Sequence, residues 1–107
     1  LLLPARLADA VPLVRLGLTY ELERGAASVG MHVRDAAAFA AWAFARAYAP
    51  EALEPHVDAL CDALLAAACY DREVNCRRAA AAALQEHVGR HGLVREGIAI
   101  IRVAHYH

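Results

Sequence analysis

Apolar side chains recur every three or four residues along most of this chain, the spacing that places them on one face of an α-helix. In residues 28–48 the stripe is Val33, Ala37, Ala40, Ala41, Phe44 and Tyr48, and in 51–69 it is Leu53, Val57, Leu60, Leu64, Leu65 and Ala68. The pattern predicts helices over 8–20, 28–48, 51–69, 72–88 and 96–104. Pro12 and Pro55 are expected in first turns, where the missing N–H would have had no partner. Ala49-Pro50 should end the second helix, because the residue before proline is pushed out of the α region. Residues 21–27 read as a turn, with Ser28 as N-cap of the second helix and Asp71 as N-cap of the fourth. Glu73 then lies against the positive end of the fourth helix dipole, and Gly89 is expected to stop that helix. A strand could be argued only for residues 94–103.

The helices repeat. Val33-Arg34-Asp35-Ala36-Ala37 and Cys76-Arg77-Arg78-Ala79-Ala80 are 43 residues apart, and the same shift carries Pro12-Leu13-Val14 onto Pro55-His56-Val57 and Pro55 onto Ile98. A period in the low forties, one helix pair per unit, belongs to HEAT and armadillo repeats. The expected fold is therefore all-α: a HEAT/armadillo-type solenoid segment of about two and a half helix pairs. It forms one unit over residues 1–107, each pair burying one face internally and another against its neighbours. Phe39, Trp42, Phe44 and the leucines should fill the layers between closely packed alanines. The chain begins without methionine and stops inside a helical pattern, so it is expected to be an internal stretch of a longer protein.

Composition narrows the function. Apolar residues make up 60% of the chain, which excludes a disordered polymer. The formal charge of −1 gives no global pull toward nucleic acid or acidic lipid, and no apolar run approaches membrane-spanning length. All eleven basic residues are arginine; a GC-rich coding bias accounts for that as readily as chemistry does. Cys61, Cys69 and Cys76 form no C-x-x-C pair and read as buried, reduced thiols.

Chemistry finds little foothold. His87 and His91 have the i,i+4 spacing of a metal pair, but the expected helix end at Gly89 separates them, and His105-Tyr106-His107 is a short alternation. The six histidines read as surface residues, with no metal. No phosphate loop, nucleophile elbow or dinucleotide fingerprint occurs. Cys76 and His87 are eleven residues apart, about 16 Å along a helix, too far for a dyad within it. No catalytic residue and no cofactor are expected. Asp71 precedes Arg77 by six residues, as Ser28 precedes Arg34, so both arginines are expected to form a structural ladder between repeats. Arg72, Asn75, Arg78, Gln85, Glu86 and Arg90 are the candidate partner-facing residues. Glu51, Glu54, Asp58 and Asp62 give the third helix an acidic, solvated outer face.

Longer phrases carry a resemblance: Arg24-Gly25-Ala26, Ser28-Val29-Gly30, His32 to Ala37, Trp42 to Tyr48, Asp71 to Ala80, and Gln85-Glu86-x-Val88-Gly89-Arg90. Together they resemble the tubulin-folding cofactor D family, over residues 11–92. The resemblance implies a HEAT-repeat chaperone, cytoplasmic and cytoskeleton-associated, that binds β-tubulin. It would assemble or dismantle αβ-tubulin heterodimers with the tubulin cofactors C and E and an Arf-like small GTPase. The GTP chemistry would belong to tubulin and the GTPase. His87 departs from the family's usual asparagine, and residues 93–107 depart beyond Gly97-Ile98. The rival expectation is a HEAT scaffold of another assembly, in transport, ciliary or chromatin machinery.

Overall fold

The computed structural model describes residues 4–20, 23–24, 27–28 and 30–91. The sequence expectations for helix 96–104, a strand in 94–103 and the His105–His107 tail lie outside these residues. A 3-10 turn, Pro4–Arg6, leads into α1 (Leu7–Leu18). A small hairpin follows, β1 (Glu23–Arg24) against β2 (Ala27–Ser28), antiparallel with Glu23 opposite Ser28. Then come α2 (Gly30–Ala47), α3 (Pro50–Tyr70) and α4 (Val74–Arg90).

The helices obey the 43-residue shift, which carries Leu7 onto Pro50 and Ala47 onto Arg90, both helix termini. They form two pairs, α1 with α2 and α3 with α4, stacked so that α1 neighbours α3 in one layer and α2 neighbours α4 in the other. The all-α repeat architecture is thus present, with the hairpin as the only strands among the described residues.

Local chemistry explains most boundaries. Ala49 is extended, with ψ 146°, as a residue before proline must be, and Pro50 takes the first position of α3. Both Pro12 and Pro55 stand at the sixth residue of their helices, one turn deeper than expected. Ser28 lies in β2, two residues ahead of α2, and so does not occupy the N-cap position assigned to it. Asp71 is likewise ahead of its helix: Glu73 is the N-cap, and the Asp71 Oδ1 accepts the Glu73 N–H at 2.9 Å. Gly89 does not end α4. The helix runs through it, and the His91 N–H still reaches the His87 carbonyl at 3.1 Å.

Leu7, Leu53, Leu60, Leu64 and Leu84 are fully buried and, at about 1.5–3 kcal/mol each, dominate the core. Alanines Ala37, Ala38, Ala41, Ala45, Ala80, Ala81 and Ala83 fill the helix contacts. Their small size lets backbones approach closely, as at Gly17 of α1, where a Cβ would stand 2.8 Å from the Ala37 Cβ of α2. Of the expected α2 stripe, Ala37, Ala41 and Tyr48 are buried, Ala40 and Phe44 are half-buried against the core, and Val33 is exposed; Arg34, Ala38 and Ala45 join the buried face. Phe39 does not fill a layer, being 65% exposed, and Trp42 is half-buried. Cys76 is buried, whereas Cys61 and Cys69 are half-buried free thiols.

The two helical glycines should respond oppositely to alanine. Gly89→Ala meets nothing within 4 Å and gains helix propensity, so stability should rise by about 0.5–1 kcal/mol. Gly17→Ala gains the same propensity but overpacks the α1–α2 contact, so a net loss of about 1 kcal/mol or more is expected. Denaturant midpoints of the two variants check the contrast.

Candidate partner-binding surface

The surface is held by a buried ion pair between the two helix pairs. Arg34, in the first turns of α2, points its guanidinium at Asp71, which lies ahead of α4. Nε donates to Oδ2 at 2.8 Å and Nη2 to Oδ1 at 3.2 Å, a bidentate fork, with both side chains over nine-tenths buried. Nη1 donates to the Tyr20 carbonyl at 3.1 Å, so the same guanidinium ties down the chain after α1. The hydrogen bonds to Asp71 push the Arg34 pKa up further, against the opposing effect of burial. Arg77, one period on, donates instead to the Asp71 carbonyl at 2.7 Å and the Arg72 carbonyl at 3.3 Å. Arg34 thus bridges the two repeats as a ladder would, whereas Arg77 bonds carbonyls of its own repeat, ahead of α4.

A second anchor lies at the far end of α4. His87, expected at the surface, is fully buried. Its Nε2 is 2.7 Å from the Ala41 carbonyl, which can only accept, so Nε2 carries the proton. Nδ1 is then the lone-pair nitrogen, buried without a partner. The ring stacks on His91 at 6.2 Å and 9°, because the helix continues through Gly89 and keeps both imidazoles on one face. Burial pushes the His87 pKa down and His91 adds to this; the Ala41 bond and Glu86 oppose it. No group of three or more His, Cys, Asp or Glu side chains among the described residues could hold a metal ion.

The residues expected to face a partner lie on α4 and at its two ends. Asn75, Arg78 and Gln85 are exposed at i, i+3 and i+10 on the outer face of α4. Arg72 is exposed just before the helix. Glu86 is half-buried and 3.5 Å from Arg46 of α2. Arg90 is exposed and donates to the Tyr48 carbonyl at 3.2 Å, closing the end of the α2–α4 contact. Arg90 and His91 also border a cleft of about 530 Å³ with Pro50, Glu51, Glu54, Val57 and Asp58, on the acidic side of α3.

Half of the face was not foreseen. The 43-residue shift pairs Asn75, Arg78, Ala82, Gln85 and Gly89 with His32, Asp35, Phe39, Trp42 and Arg46 of α2. Phe39 and Trp42 have ring centroids 5.6 Å apart, and the Arg46 guanidinium carbon lies 5.0 Å from the Trp42 ring centroid. The signal was the period itself, which makes any surface on one repeat a surface on the next.

The family model described as "Tubulin-specific chaperone D-like, ARM repeats" matches residues 1–98. "Tubulin-specific chaperone D" of Dictyostelium discoideum is 48% identical over 107 residues, covering 99% of this chain and 7% of that protein. "Tubulin-folding cofactor D" of Schizosaccharomyces pombe is 38% identical over 96 residues, covering 90% of this chain and 9% of the relative. The chain therefore spans less than a tenth of the length of either. No solved structure gives a significant match.

Two measurements probe the anchors. Asp71→Ala, or Arg34→Met, should each cost about 3–5 kcal/mol by stranding a buried charge, and the double variant should cost clearly less than their sum. Chemical denaturation of the three variants gives that coupling. The unfolded His87 side chain titrates near 6.5 while the folded one holds a lower pKa. As pH falls through 6.5 the unfolded state binds the extra proton first, so stability should fall toward acid pH. His87→Asn should flatten that slope in melting temperatures taken from pH 7.5 to 5.5, as an amide can still donate to the Ala41 carbonyl.

Proposed function

Because the chain belongs to the tubulin-specific chaperone D-like family of ARM repeats, we propose that it is one stretch of a longer helical array that binds β-tubulin. In this reading the array holds β-tubulin while αβ-tubulin heterodimers are assembled or taken apart, in the cytoplasm. The tubulin cofactors C and E and an Arf-like small GTPase are its partners, and GTP hydrolysis stays with tubulin and the GTPase.

The identity of 48% across almost the whole chain, to a relative named for its action on tubulin, carries the reading. The stacked helix pairs support it physically. They give a broad surface of fixed curvature with polar residues presented from successive helices, which suits holding a folded partner by shape. Among the described residues Arg34, Asp71 and His87 join neighbouring helices, and Arg77 holds the turn ahead of α4. Arg72, Asn75, Arg78, Gln85, Glu86 and Arg90 form the contact surface on this proposal.

Purification of the full-length protein with and without this segment tests the reading. Retention of β-tubulin and the small GTPase by the intact protein, weakened when the segment is deleted, is the expected outcome. Co-purification with transport, ciliary or chromatin components in place of tubulin would sink it.

A further inference from the structure

We propose that the joint between the two helix pairs is an acid-sensitive hinge: protonation of His87 releases the last turn of α4 from α2, while the head of α4 stays pinned by the Arg34–Asp71 pair. The inference concerns how the array bends and does not depend on which partner it holds.

The contact between α2 and α4 is fastened differently at its two ends. At the head of α4 both fastening groups are charged, buried and forked together at 2.8 and 3.2 Å. At the foot, α4 is tied to α2 by His87 on the Ala41 carbonyl at 2.7 Å and by the exposed Arg90 on the Tyr48 carbonyl at 3.2 Å. The His87 ring is fully buried and neutral, with its proton on Nε2. A second proton must go to Nδ1, which meets no acceptor among the described residues. An imidazolium there would be a charge held out of water, which a low dielectric penalises.

The groups around the ring do not offset that penalty. On α4 they are Glu86, Arg90 and His91, whose ring stacks on His87 at 6.2 Å. On α2 they are Tyr48 and Arg46, the latter 3.5 Å from Glu86. On α3, Glu51, Glu54 and Asp58 border the cleft that His91 lines. Glu86 favours the charged ring and His91 opposes it, and burial outweighs both.

The foot can move without the head. Gly89 lies in the last turn with open space where a Cβ would be, and glycine is a poor helix former. Helix ends open more readily than helix centres. Once the turn opens, the imidazole meets water and takes a proton near its ordinary value of about 6.5. The closed form resists that proton, so acid favours the open form. Its population relative to the closed form should rise by up to about tenfold for each pH unit below 6.5.

Hydrogen–deuterium exchange on the full-length protein at pH 7.5, 6.5 and 5.5, corrected for the intrinsic exchange rate, tests the hinge. Peptides from residues 41–48 and 84–91 should lose protection by up to about tenfold per pH unit below 6.5, while those from 30–37 and 71–77 change by less than about twofold. This contrast is read on the wild-type protein, so it needs no variant to fold. The loss should vanish in His87→Asn and persist in His91→Gln. Equal loss at both ends means global unfolding and overturns the hinge, as does unchanged protection at the foot. A loss that survives His87→Asn, or disappears in His91→Gln, overturns the assignment to His87.

Discussion

Opposite charges taken out of water tolerate little change in their separation, because neither can fall back on solvent and their attraction steepens in a low dielectric. Arg34 and Asp71 are in that position, bidentate at 2.8 and 3.2 Å. One guanidinium joins three parts of the chain: α2, which carries it, the segment leaving α1 at Tyr20, and the head of α4 at Asp71. The carboxylate in turn holds the Glu73 N–H, so the start of α4 is fixed by the charge that fixes α2. The angle between successive helix pairs follows from this knot. At the other end, the His87 and Arg90 contacts to the carbonyls of Ala41 and Tyr48 keep the same two helices from splaying.

Alanine and the ion pair work together. Small side chains bring α2 and α4 close enough for an imidazole to reach a backbone carbonyl of its neighbour. The same closeness leaves no room for water to share the charge of Arg34. The interface is thus specified by geometry more than by apolar volume, and Phe39 of α2 is left outside while Trp42 and Phe44 pack half-buried against the core.

Much of this was legible in the sequence, and particular residues show where legibility ended. The period could be read because whole phrases recur, and Pro50 marked a boundary because its ring forbids the alternative. The bridging role of Arg34 followed from its spacing, but Arg77 at the equivalent position bonds within its own repeat. The buried face of α2 was read only in part, because Arg34 counts as polar in any periodicity, yet its buried fork places it inside with Ala37 and Ala41. Gly89 is a stop only where the next residue turns away, and here the His91 N–H finds the His87 carbonyl. His87 itself was taken for a surface residue because no local rule reveals that a carbonyl from α2 waits opposite. For the candidate surface, the α4 residues were chosen for their polarity, while Phe39 at an equivalent position of α2 read as core until the fold showed it exposed.

The ion pair also gives the molecule a direction. The first repeat supplies the arginine and the second the carboxylate, so this junction is head-to-tail and has no equivalent in reverse. A proteolytic cut between residues 34 and 71 would leave one fragment with a buried cation and the other with a buried anion, each needing its former partner to fold. Such fragments would be expected to find each other again, in one order only. The seam between the pairs is thus a polarised joint, and the order of the helices in space is carried by the sign of two charges.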